Sequence, residues 1–121
     1  MKEFANALLH ARLEVASAQM KRAMQTPDEE AVHDLRVSMR RLLQALKSFK
    51  RLYEPGYAKA TRDKIRPILK AAGEVRNRDI AIELAHGAEI EEASPLIAAL
   101  RSERESAALE LKNALAAVEA L

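Results

Sequence analysis

The segment VHDLRVSMRRL (residues 32–42) decides how this 121-residue chain folds. Its apolar residues recur at spacings of three and four, which predicts an amphipathic helix. On a helical wheel at about 100° per residue, His33 and Arg36 fall within about 60° of each other, and Leu35 lies on the opposite side. The segment therefore predicts a helix that buries one side and presents positive charge on the other.

Positive charge is concentrated in the middle of the chain. Residues 33–78 contain thirteen Lys and Arg against four Asp and Glu, a local charge of +9, and the remainder carries −7, so the net charge is only +2. A clustered field of one sign attracts polyanions, and this asymmetry predicts an anionic partner.

The composition favours one helical domain over residues 1–121. Hydrophobic residues make up 49% of the chain and aromatic residues 3%, so the core must consist of aliphatic side chains, which suit helices. The absence of cysteine excludes disulfides. No apolar run approaches the roughly 20 residues of a membrane span, and charged residues interrupt the N-terminal segment, which predicts a cytoplasmic protein without a secretory signal.

Three turn signals divide the chain into four helical stretches. The first is Thr26-Pro27-Asp28-Glu29, where Thr26 can cap a helix, Pro27 suits its first position and Glu29 completes a capping box. The second is the turn Glu54-Pro55-Gly56-Tyr57, and the third is Ser94-Pro95, where Ser94 can cap and Pro95 can start a helix. The predicted helices cover residues 2–24, 28–53, 57–86 and 95–120. Because short connections favour antiparallel neighbours, the sequence predicts an all-α, antiparallel four-helix bundle. Pro67 lies inside the third helix and predicts a kink or a break there.

The third predicted helix also carries a basic face. Arg62, Arg66 and Lys70 follow one another at spacings of four and therefore share one side. Like charges at such spacings destabilise a helix by about 0.2–0.5 kcal/mol per pair, so stability alone does not explain them. Since the second and third helices are consecutive, we expect their basic stripes to border one groove.

Catalytic and metal-binding patterns are absent from the sequence. The three histidines, His10, His33 and His86, fall on different predicted helices without a metal-ligand spacing. The chain has no cysteine nucleophile, no GxSxG motif and no Gly-rich phosphate loop. We therefore expect a non-enzymatic protein with no catalytic residues, no cofactor and no metal.

Two segments resemble the signatures of the CHAD domain, the conserved histidine α-helical domain. Residues 32–42 resemble V-H-x-L-R-V-x-x-R-R-L, and residues 72–80 (AGEVRNRDI) resemble L-G-x-V-R-D-x-D-V, with departures at Asn77 and Arg78. The resemblance implies an all-α fold with a basic channel that binds inorganic polyphosphate. It also implies a cytoplasmic protein that could be found at polyphosphate granules.

The predicted polyphosphate-binding residues come from two sources. The resemblance supplies His33, Arg36, Arg40, Arg41 and Arg76. The helical wheels add Lys47, Arg51, Arg62, Arg66 and Lys70.

Two further expectations concern partners. CHAD domains typically contain two four-helix halves, so the chain resembles the N-terminal half, and a homodimer would supply the second half by twofold symmetry. The same charge pattern also fits two alternatives, a nucleic-acid-binding domain that contacts phosphates and a helical scaffold that docks an acidic protein.

Overall fold

The computed structural model describes residues 1–118 and 120–121. Every regular element in these residues is helical, which confirms the predicted all-α class. The helices are α1 (Lys2–Gln25), α2 (Glu29–Ser48), a short 3₁₀ helix (Lys50–Leu52), α3 (Tyr57–Gly87) and α4 (Pro95–Ala116). Within the same residues, no helix is both long and apolar enough to cross a membrane.

Local side chains set where α2 and α4 begin. The Asp28 carboxylate accepts a 2.8 Å hydrogen bond from the Ala31 amide and caps α2. Thr26, which the sequence suggested as this cap, instead ends α1. Ser94 caps α4 through its hydroxyl oxygen, and Pro95 occupies the first helical position as predicted.

The second helix is shorter than its sequence suggested. Phe49 departs from helical geometry with φ −120° and ψ 20°, so α2 ends at Ser48 and not at Tyr53. The chain then makes the 3₁₀ turn and reverses at Gly56, whose positive φ of 84° suits a residue without a side chain. Arg51 therefore does not continue the helical repeat of α2.

The third helix runs without interruption through Pro67. Of the two predicted alternatives, the break does not occur. The proline ring removes one backbone donor, but the turns on either side keep their own hydrogen bonds, so the loss is local.

Consecutive helices pack antiparallel. Arg22 near the end of α1 bonds Asp34 near the start of α2 at 2.6 Å, and Arg76 in the second half of α3 lies 3.3 Å from Glu29 at the start of α2. Contacts between neighbours in the chain dominate, and α1 touches α4 much less than the consecutive helices touch each other. The apolar sides form one core, whose large, fully buried members are Val32, Leu35, Met39, Leu42, Ile65, Ile68, Val75 and Leu111.

A nearly buried ion pair links α3 to α4. The Asp79 side chain is 8% exposed and accepts a 2.6 Å hydrogen bond from Nε of Arg104, whose side chain is 21% exposed. Arg104 also donates to the carbonyl oxygen of Pro27 at 2.9 Å. This guanidinium therefore holds together α3, α4 and the connection that precedes α2.

We predict that Asp79→Asn lowers the free energy of unfolding by about 2–3 kcal/mol. Removing one charge of a buried pair costs about 3–5 kcal/mol, and the partial exposure of Arg104 reduces that figure. Urea unfolding monitored by circular dichroism would measure it. The matched control is Asp63→Asn, which breaks the exposed Lys59–Asp63 pair and should cost less than about 1 kcal/mol. Equal losses in the two variants would contradict this role for Asp79.

The connection between α3 and α4 is tied down by Glu92. Its carboxylate bonds Arg101 on α4 and, at 2.8 Å, His86 on α3, and these hydrogen bonds lower the pKa of Glu92 from 4.5 to about 2, with that from Arg101 the larger cause. A lowered pKa means that the contact contributes its full stability above pH 4.5 and loses it as the pH falls towards 2.

An NMR titration of the Glu92 carboxyl group should therefore show a midpoint well below 4.5. Arg101→Met should move that midpoint back towards 4.5, because the hydrogen bond that lowers the pKa of Glu92 most is gone. A midpoint that is the same in both proteins would show that Arg101 does not hold the carboxylate in solution.

Candidate functional site

Three arginines from α2 and α3 form the centre of the candidate site, and we call them the Arg36 cluster: Arg36, Arg40 and Arg76. Arg36 and Arg40 lie one turn apart on α2, and Arg76 reaches the same region from α3. Burial lowers the pKa of Arg36, and the positive charges of Arg40 and Arg76, which both act on it, lower it further. The structure thus brings together predicted cations that are up to forty residues apart in the sequence.

Arg36 is the member of this cluster that has a buried hydrogen-bond donor without an acceptor. Its Nε is buried and has no hydrogen-bond partner, and no ion pair of Arg36 exists among the residues that the structure describes. Burial is the main reason that its pKa is lowered, and repulsion from the two neighbouring guanidinium groups adds to it. A buried donor without a partner costs free energy, and an anion would supply the missing acceptor.

Further cations extend the site along both helices. His33 and Lys47 are exposed on α2, and Arg62 and Arg66 are exposed on α3. Because Glu29 meets Arg76, the antiparallel register places Arg66 at about the level of Arg40. Arg62 lies about one turn earlier in α3, towards the Lys47 end of α2.

Three predicted site residues lie elsewhere. Arg41 lines a cleft between α1 and α2 together with Arg12. Lys70 borders a cleft between α3 and α4 that also contains Glu74. Arg51, on the 3₁₀ helix, lines a cleft of about 730 Å³ at the end of the bundle, whose walls also include Lys2 and Tyr53. The predicted basic residues are therefore distributed over several surfaces of the bundle.

Two features of the site did not follow from the sequence reasoning. Glu29, interpreted as part of a capping motif, reaches across to Arg76 and partly offsets its charge. Asp79, which matches the second signature, is held by Arg104 and is not free to act on a ligand. The spacing of charges within single helices carries no signal for either contact, because both join different helices.

The aromatic side chains do not belong to the Arg36 cluster. The phenylalanines pair edge to face, Phe4 on Phe49, with ring centroids 5.9 Å apart, and the tyrosines do the same, Tyr53 on Tyr57, at 6.1 Å. These four are the only aromatic residues of the chain. The Arg36 cluster therefore offers charge and hydrogen bonds but no platform on which a base could stack.

Comparison with known proteins identifies the family. The CHAD domain model matches residues 7–120, so the chain belongs to the CHAD domain family, whose members are associated with polyphosphate binding. No curated protein and no solved structure gives a match. Over the described part of the chain, no group of three or more acidic or histidine side chains is arranged to hold a metal ion.

We predict that Arg36→Met keeps or raises the stability of the protein without a bound anion. The substitution removes one charge from a repelling cluster and a buried donor that lacks a partner, which together should add up to about 1 kcal/mol to the free energy of unfolding. Thermal and urea unfolding in a low-phosphate buffer would measure it. Arg62→Met, at an exposed position, is the control and should change little. A loss of more than about 1 kcal/mol in Arg36→Met alone would mean that Arg36 supports the fold.

Proposed function

We propose that this protein binds inorganic polyphosphate at the Arg36 cluster, without catalysing a reaction on it. The observation that carries the proposal is the buried Nε of Arg36, which has no acceptor and lies in a guanidinium group that Arg40 and Arg76 repel. Family membership supports the choice of ligand. A cytoplasmic location, where polyphosphate would be accessible, belongs to the same proposal.

The chemistry of guanidinium groups suits this ligand. Each Arg presents a planar fork of donors that matches two phosphate oxygens, and hydrogen bonds between opposite charges are stronger than neutral ones. A bound phosphate would accept from the guanidinium of Arg36, with the side chain turning to expose Nε, and would at the same time screen its repulsion from Arg40 and Arg76. Binding therefore removes two unfavourable features of the free protein in one step.

A polymer of phosphates would use more than the central cluster. On α2, the cations from His33 to Lys47 extend over about 21 Å at 1.5 Å per residue, and Arg66 and Arg62 run alongside on α3. Repeating negative charge needs a row of cations and no readout of bases. Because the aromatic rings lie apart from the cluster, this arrangement favours polyphosphate over single-stranded nucleic acid.

We predict that the double substitution Arg36→Glu and Arg40→Glu abolishes retention on immobilised polyphosphate. It places carboxylates where phosphate oxygens would bind, so repulsion replaces attraction. Arg12→Glu with Arg41→Glu is the matched control, since it changes the net charge equally on the α1 side of α2. The control should lose less than about tenfold in affinity, and circular dichroism should show native helicity in both proteins.

Two outcomes would contradict this assignment. Unchanged retention by the folded Arg36/Arg40 variant would show that the cluster does not bind polyphosphate. Equal losses in both variants would show that net charge, and not the cluster, determines binding. Wild-type affinity should also fall by about 50-fold between about 50 and 200 mM salt if four phosphate contacts form, by analogy with single-stranded nucleic acids.

Competition separates polyphosphate from nucleic acid. Long-chain polyphosphate should displace a labelled oligonucleotide at low concentration, whereas nucleic acid should displace labelled polyphosphate poorly. The reverse order of potency would instead favour a nucleic-acid-binding domain.

A further inference from the structure

Glu29 is an acidic residue at the start of the basic side of α2. It lies four residues before His33 and seven before Arg36, so all three share one side of the helix. Its carboxylate lies 3.3 Å from a guanidinium nitrogen of Arg76, and the Glu29 side chain is 62% exposed. Within the described residues this is the only ion pair that the Arg36 cluster makes. A carboxylate of the chain itself therefore already occupies one of the three guanidinium groups.

The other two acids of α2 have a different partner. Glu30 and Asp34 lie about 100–140° round the helix from Glu29. Both pair with Arg22 on α1, at 3.7 and 2.6 Å. Of the three acids in α2, only Glu29 pairs with a residue of α3, and it therefore places negative charge beside the proposed anion site.

Arg76 interacts with both this acid and the rest of the cluster. Its guanidinium group bonds Glu29, and its positive charge also acts on Arg36. A phosphate chain that contacts Arg36 and Arg76 together needs donors that Glu29 occupies, and the Glu29 carboxylate repels it. Ion pairs between exposed side chains are weak, so a ligand of high charge can displace this one.

We propose that Glu29 is a built-in competitor of the ligand, which holds Arg76 in the free protein and is displaced when polyphosphate binds. This inference rests on the proposed function. In the free protein, the Glu29 carboxylate offsets part of the charge of Arg76. In the complex, phosphate oxygens take its place, and the exposed Glu29 side chain turns to solvent. The ion pair therefore lowers the affinity by the free energy that it contributes to the free protein.

Binding of an end-labelled polyphosphate of one defined length, followed by fluorescence anisotropy, tests the competition. Glu29→Gln should tighten binding by about three- to fivefold, because Arg76 no longer has to exchange one partner for another. Glu30→Gln is the matched control, since it makes the same change of net charge in the same turn of α2, and Arg22 keeps its bond to Asp34. The control should change the affinity by less than about twofold.

The stability of the free protein should change in the opposite direction. Relative to Glu30→Gln, the Glu29→Gln variant should lose about 0.7–1 kcal/mol in the free energy of unfolding, which is the expected fold-change converted at about 1.4 kcal/mol per tenfold. Urea unfolding without any polyanion would measure it. An ion pair with a purely structural role would give this loss without the gain in affinity.

An Arg76→Met background tests whether Glu29 acts through Arg76. In that background, Glu29→Gln should change the affinity no more than Glu30→Gln does, because the contested guanidinium group is gone. Circular dichroism should show native helicity in the Glu29 and Glu30 variants, since both side chains are exposed.

The outcomes separate this inference from the proposed function. Wild-type protein that does not bind the labelled chain would overturn the proposed function and this inference with it. If wild-type protein binds and Glu29→Gln gains no more than Glu30→Gln, the inference alone is overturned. An equal gain with and without Arg76 would overturn it too, because Glu29 would then act only as a general negative charge.

Discussion

The apolar packing of α2 against α3 holds guanidinium groups together against their mutual repulsion. Leu35 and Met39 on α2, with Ile65 and Ile68 on α3, are completely buried, and each contributes roughly 1.5–3 kcal/mol by leaving water. Repulsion between exposed like charges costs only a few tenths of a kcal/mol per pair, and a buried donor without a partner about 1–3 kcal/mol. The free energy gained by burying these apolar side chains therefore exceeds the free-energy cost of the Arg36 cluster by a wide margin.

Arg36 differs from several other arginines of the chain because they have acidic partners. Arg22, Arg78, Arg101 and Arg104 each lie against at least one carboxylate of the same chain. The fold thus has acidic partners for cations where the structure needs them. Arg36 is partly buried and has none, and the nearest charges that affect it are positive. An arrangement that stability does not favour is understandable if the missing partner is a ligand.

Much of the fold could be predicted from the sequence because its signals are local. Ser94-Pro95 and Pro55-Gly56 mark helix boundaries through their own backbone preferences, and three- and four-residue spacing separates buried from exposed sides. The end of α2 at Ser48 could not be predicted in the same way. No glycine or proline marks it, since Phe49 leaves the helix six residues before the visible Pro55 signal. The break at Pro67 did not occur because a long, well-packed helix tolerates one missing hydrogen bond.

The candidate site was only partly predictable for a geometric reason. A helical wheel shows which residues share a side, but not which neighbouring helix borders each flank of that side. Arg40 and Arg41 are adjacent in the sequence, yet Arg40 belongs with Arg36 and Arg41 borders the cleft towards α1. The ion pair between Asp79 and Arg104 depends on the α3–α4 contact and has no counterpart in either helix alone.

The basic face of α2 differs from the other exposed helix surfaces. Local rules place mixed charges on exposed helix surfaces, and α4 follows them with interleaved acids and bases such as Arg101, Glu103 and Glu105. The exposed side of α2 departs from that rule by collecting cations. Since a single folded copy gains nothing from this departure, the surface is best understood through what it contacts in solution. For the Arg36 cluster the chemistry requires an anion.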